Sequence, residues 1–155
     1  MTISGRKIIS AILNQINTTN LRATDGNTYT FFVGNNNNIF ATTTKYNATN
    51  VGGTSIILSR DEAGSESAYI PTNIIDLNPT SVTTSISSDG KLILTYVFTN
   101  TTGNTISIKS IGLATRIANE SYGTNISILI LWDNVPERTV NAGDVFTFSV
   151  TINPL

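Results

Sequence analysis

The chain has 155 residues, a formal net charge of −1, 12% charged residues, no His and no Cys. That length fits one domain able to bury a core unaided. Sparse, balanced charge excludes a basic nucleic-acid footprint and an acidic tail, and the missing residue types exclude disulfides, thiol chemistry and a histidine base or metal ligand.

Asn and Thr fill the place of the charges, with 19 and 25 residues. β-branched Thr and Ile suit pleated strands, while Asn suits turns and left-handed backbone. Composition therefore favours an all-β protein with polar, uncharged faces.

Along the chain, Ile8, Ile9, Ile12, Leu13 and Ile16 recur at helical spacing behind Ser4, a candidate N-cap. The spacing predicts an amphipathic helix over about residues 5–16. So short a helix is marginal alone and must dock, either on its own domain or on a partner or neighbouring copies. The same five apolar residues are the candidate partner or oligomer contacts. Residues 1–20 read as a helical attachment or oligomerisation segment, and residues 21–155 as the β domain. The N-terminal run lacks the longer apolar region and small-residue cleavage site of a secretory signal, so synthesis in a cytoplasm is expected. No stretch approaches the roughly 18 apolar residues of a membrane span, and no membrane partner is expected.

Next, Asp25-Gly26 is a hairpin signal leading into a strand that ends near Val33. Residues 34–38 read as a polar loop, and residues 39–46 and 54–59 as further strands. Residues 60–79 hold two prolines and most acids of the first half, which predicts a long excursion linking one sheet to the other. A strand follows in "SVTTSISS", then the turn Asp89-Gly90. In "KLILTYVFTN", Leu92, Leu94, Tyr96 and Phe98 share one face.

The segment after "TTGN" changes facing. Ile106 and Ile108 fall on even positions, Ile111, Leu113 and Ile117 on odd ones. One extra residue near Lys109 or Ser110 would reconcile them, which is the mark of a β-bulge. "NISILILW" is apolar on both faces and is expected to be a central strand. "NAGD" is a turn, and the last strand alternates with Phe146, Phe148, Val150 and Ile152 inward. About eight strands at such spacing predict an antiparallel two-sheet sandwich, jelly-roll-like, with a short N-terminal helix.

The run "DGKLILTYVFTNTTGNTISIKSIGLATRI", followed by "ILILWDNVPERTVNAGDVFTFSVTI", resembles a recurrent block of bacteriophage virion proteins. Its matching positions are Thr99, Asn100, Gly103, Ile106, Ile108, Lys109, Ile111, Gly112 and Leu113, then Thr139, Val140, Asn141, Ala142, Gly143, Asp144, Phe146 and Ile152. Ser110 stands where that family often has Glu. The resemblance covers the C-terminal half. It implies a structural protein of the virion, a head fibre or capsid decoration assembling as a homo-oligomer, often a homotrimer, against major capsid or portal-vertex proteins. Head, collar and tail placements all remain open, and a receptor- or glycan-binding module of a fibre is the alternative.

Chemistry-bearing constellations are weak. Asp61, Glu62 and Glu66 form the densest acidic cluster, but "RDEAGSE" lacks the alternation of a calcium loop, and a solvated loop is the better reading. Asp25 with Asn27 reads as turn chemistry. Nothing singles out a carboxylate pair for glycoside hydrolysis. The serines have no histidine, and neither Lys91 nor Lys109 lies in an S-x-x-K context. Phosphate-binding glycine motifs are absent. Five N-x-[ST] sequons, at Asn17, Asn47, Asn100, Asn119 and Asn125, are what chance gives in so Asn- and Thr-rich a chain. Tyr46, Tyr69, Tyr122 and Trp132 are candidates for a sugar-stacking platform on a host surface glycan, set against ordinary rim packing. No catalytic residue, metal or cofactor is expected.

Overall fold

The computed structural model describes residues 1–14, 18–31, 54–119 and 124–152. The polar loop expected at 34–38 and the strand expected at 39–46 lie outside them. Among the described residues one helix, α1 (Ile3–Asn14), precedes nine strands: β1 (Thr18–Arg22), β2 (Thr28–Phe31), β3 (Thr54–Ser59), β4 (Ile74–Ile75), β5 (Ser81–Ile86), β6 (Leu92–Thr99), β7 (Ile106–Asn119), β8 (Thr124–Val140) and β9 (Val145–Ile152). They form a β1-β2 hairpin, a four-stranded sheet in the order β4-β3-β7-β8 and a three-stranded sheet in the order β5-β6-β9, all antiparallel. The protein is an all-β sandwich with a short N-terminal helix. The β6–β9 pair encloses the β7–β8 hairpin in sequence yet lies in the other sheet, the nesting expected of a jelly roll.

The core sits between the two larger sheets. Ile56 and Leu58 from β3, Leu94, Tyr96 and Phe98 from β6, and Phe146 and Val150 from β9 belong to one buried cluster. Period-two alternation in β6 and β9 puts these residues inward, as the sequence predicts. Phe98 and Phe146 are cross-strand partners with stacked rings 5.1 Å apart, and Phe148 meets Phe146 edge-on at 6.0 Å.

Tyr96 is the exception in this apolar cluster. It is fully buried, its hydroxyl finds no hydrogen-bond partner among the described residues, and burial pushes its pKa up to about 12. An orphaned buried hydroxyl costs rather than contributes, so Tyr96→Phe is expected to leave stability unchanged or raise it by about 1 kcal/mol. The sign of the pH effect follows: above pH 10 the unfolded phenol releases its proton while the folded one keeps it. Stability falls by roughly 2–3 kcal/mol between pH 10 and pH 12, and Tyr96→Phe removes that part of the decline. Urea unfolding of both proteins across that range measures it.

β7 changes facing as expected: Ile106, Ile108, Ile111 and Leu113 all enter the same core. The register with β8 slips between Ile108 and Ser110, but the extra residues are on the partner. β7 spends Lys109 where β8 spends Val135, Pro136 and Glu137. Proline lacks the N–H a regular ladder would require, so it belongs in such an irregularity. A second slip leaves Ile130 of β8 without a cross-strand partner. Among the described residues β8 ends the four-stranded order rather than standing inside it. Its two apolar faces have another cause. One faces the sandwich core, and the other is covered by segments outside the sheet.

Those covering segments include α1. The helix packs on β8 and β1. Its N-cap is Thr2, not Ser4, so it begins two residues earlier than predicted: the Thr2 hydroxyl accepts from Gly5 N–H at 2.9 Å and donates to the Leu129 carbonyl. Thr2 N–H donates to the Ile130 carbonyl at 2.9 Å, using a group the bulge leaves beside the helix. Ser4 instead exchanges hydrogen bonds with the Arg22 backbone at 3.2 and 3.3 Å. β1 starts at Thr18, so a boundary drawn after residue 20 cuts through a strand.

Candidate functional site

The two sheets differ in what covers their outer faces. On the four-stranded sheet, Ser59, Ser110 and Asn134 form one cross-strand row. All three bind the backbone of the 60–73 excursion: Ser59 Oγ donates to the Thr72 carbonyl at 2.6 Å, Ser110 Oγ to the Asp61 carbonyl at 2.7 Å, and Asn134 Oδ1 accepts from Ala63 N–H at 2.6 Å. Trp132 Nε1 donates to Ser110 Oγ at 2.8 Å. Gly64 and Gly112 allow the close approach. A methyl at Gly64 would stand 2.7 Å from the Trp132 ring, and one at Gly112 would stand 2.9 Å from Pro71. The excursion is thus a strap fastened by polar side chains, with Glu62 and Glu66 exposed on it as a solvated loop predicts. It returns the chain to β4 of the same sheet, and the crossing to the other sheet comes after it, between Ile75 and Ser81. Ser110→Ala should orphan the Trp132 N–H and the Asp61 carbonyl, lowering stability by about 1–2 kcal/mol. The fluorescence of Trp132, the chain's single tryptophan, should shift with it.

The strap also uses its acids. Asp61 accepts from Thr72 Oγ1 at 2.7 Å and from Asn73 Nδ2 at 3.4 Å. Glu66 takes both guanidinium arms of Arg6, at 2.6 and 3.0 Å, and the hydrogen bond and charge of Arg6 hold its carboxyl below the usual range. Elsewhere Asp89 pairs with Lys91 at 2.6 Å, and Glu137 accepts from Ser107 at 2.6 Å. At Asp25, burial pushes the carboxyl up, but hydrogen bonds from Tyr29 and Asn27 outweigh it and hold it low. This is turn chemistry, as predicted. Among the described residues no three metal-ligating side chains come together. Of the aromatic candidates, Tyr69 carries the Arg22 guanidinium 3.9 Å above its ring, and Trp132 lies under Gly64; Tyr46 and Tyr122 lie outside the described residues.

Among the described residues, nothing covers the outer side of the three-stranded sheet. Register places Ser81, Val97 and Thr147 in one row, Thr83, Thr95 and Ser149 in the next, and Ser85, Ile93 and Thr151 in a third. Seven of these nine are Ser or Thr and none is charged. The β5 and β9 members are exposed and the β6 members half-buried between them. Such a face can meet a like surface without desolvating a charge.

One pole of the sandwich holds the β6–β7 and β8–β9 turns together through Asn100, which is 1% exposed. Its Nδ2 donates to the carbonyls of Asn104 at 2.8 Å and Val140 at 3.0 Å. Its Oδ1 accepts from Thr102 N–H at 3.1 Å and from the Thr102 hydroxyl at 2.7 Å. The Asn100 backbone bonds Asp144 and Gly143, at 2.9 and 2.8 Å. Gly103 and Gly143 close the turns with φ of 77° and 85°.

The five predicted contact residues fare differently. Ile8 is fully buried within its own chain, so packing removes it from any partner surface. Ile9 is half-buried. The side chains of Ile12 and Leu13, and all of Ile16, lie outside the described residues. The strap row and the bare face were not singled out from sequence; the available signal was Ser and Asn at the ends of strands otherwise apolar.

No protein-family model, no curated protein and no solved structure matches the chain. Among the described residues, no helix is long and apolar enough to cross a membrane.

Proposed function

We propose that this chain is a non-enzymatic structural protein of a bacteriophage particle. It is made in the host cytoplasm and acts in the virion as a head fibre or capsid decoration. It assembles with copies of itself, as a homotrimer in the expectation above, and docks on major capsid or portal-vertex proteins. The observation that carries the reading is the join at Asn100. Asn100 in the first virion-like stretch and Val140 in the second are 40 residues apart, and this one buried amide binds the two stretches at a pole of the sandwich. The resemblance thus falls on residues that set shape. The uncharged outer face supports the same reading, because it suits contact with like surfaces.

The test is compositional. Particles purified through a density gradient should contain the chain at a fixed copy number, retained through high-salt washing. A chain recovered only in the soluble lysate would overturn the assignment.

A further inference from the structure

β5 ends its sheet, with β6 on one side and no strand of the described residues on the other. Edge strands offer unpaired backbone groups to other chains, and proteins usually blunt them with Lys, Pro or inward charges. The β5 sequence SVTTSI has none of these. Five of its six residues are exposed, Ile86 to 75%.

The phase of the open edge follows from the hairpin. Ser87 N–H donates to the Lys91 carbonyl at 2.9 Å, and along an antiparallel pair the residues bonded toward a given neighbour alternate. Ser81, Thr83 and Ser85 share the phase of Ser87 and point their backbone groups at β6. The N–H and C=O of Val82, Thr84 and Ile86 therefore face the open edge.

The strand reads alike from either end about Thr84. Laid antiparallel on a second copy, Val82 meets Ile86, Thr83 meets Ser85 and Thr84 meets Thr84. Apolar faces apolar, hydroxyl faces hydroxyl, and no charge is buried. We propose that β5 is a homotypic interface strand, pairing with β5 of a second copy about a twofold axis through Thr84. The two three-stranded sheets become one of six strands, with their bare outer faces continuous. Self-pairing needs the same patch on both partners, and this palindromic pattern supplies it. The neighbouring Asp89 and Lys91 neutralise each other within the chain, so the twofold brings no unpaired charge to its ends. The inference rests on the self-assembly in the reading above and names the surface that carries it. A threefold contact elsewhere is compatible and would give six copies.

Sedimentation equilibrium of the purified full chain should report an even number of copies. Thr84→Lys, a gatekeeping charge at an exposed position, should halve that number while the circular dichroism stays unchanged. The absence of cysteine makes a second measurement clean. Thr84→Cys places two sulfurs across the axis at a Cα separation of about 5.5 Å, within disulfide range. Ser81→Cys places them about 20 Å apart, six strand residues out of register. Under mild oxidation only the first should become a covalent dimer. An assembly whose mass Thr84→Lys does not change would overturn the β5 pairing and leave the structural reading standing. A wild-type chain that stays monomeric at every concentration would overturn the pairing and the self-assembly together. Equal cross-linking of the two cysteine variants would overturn the register.

Discussion

Replacing Asn100 by alanine is expected to lower stability by about 3–4 kcal/mol, the largest loss from any single polar side chain described here. Four hydrogen bonds disappear at a buried position, and the Val140 carbonyl, itself buried, loses a donor. Urea unfolding should show a lower midpoint at unchanged slope, because the surface exposed on unfolding stays the same. Asn100→Asp adds a check on sign. It keeps the acceptor toward Thr102 but aims a second oxygen at two carbonyls, which favours the protonated acid in the folded state. The folded variant then binds a proton that the unfolded chain has released, so its stability falls as pH rises through the carboxylate range. Wild-type stability within about 1 kcal/mol for Asn100→Ala would show that the two turns do not depend on this amide.

Gly5→Ala is the second large effect, and its direction discriminates. Inside a free helix, alanine in place of glycine would stabilise by about 1 kcal/mol. Here the added methyl would stand 2.4 Å from the Ile130 carbonyl oxygen and 2.9 Å from its Cα, both backbone atoms of β8. The helix must lift, which loosens the Thr2 cap and uncovers Ile8. A loss of about 2–4 kcal/mol is expected, in the range of overpacked cores and lost caps. A gain in stability would mean that α1 does not sit on β8 as described. For the same reason, removing residues 1–20 deletes a packed layer and half of β1 rather than a detachable anchor.

The features legible in sequence were those with a local cause. Alternation in β6 and β9 set the core, the paired turn signals Asp25-Gly26 and Asp89-Gly90 placed two hairpins, and mismatched facing located the irregularity at Lys109. Features that depend on partners distant in sequence were not legible. β8 reads as central because both faces are apolar, yet sequence does not say whether a strand or a helix supplies the cover. Thr2 caps α1 because β8 is there to receive its hydroxyl and N–H, whereas Ser4 satisfies the local capping rule equally well. Ser110 is a single polar residue in a strand, and its partners lie 22 and 49 residues away. The same gap explains the acids of the strap. Their spacing resembles no metal loop, but only the folded chain shows that Asp61 and Glu66 are engaged by Thr72 and Arg6.

The central claim is that this polypeptide acts by occupying a place on a particle. Electron cryomicroscopy of virions assembled with and without it tests that most directly. The difference map should hold discrete, symmetry-related density at fixed sites on the capsid, collar or tail surface, into which the sandwich fits. Identical maps from the two preparations would contradict the account.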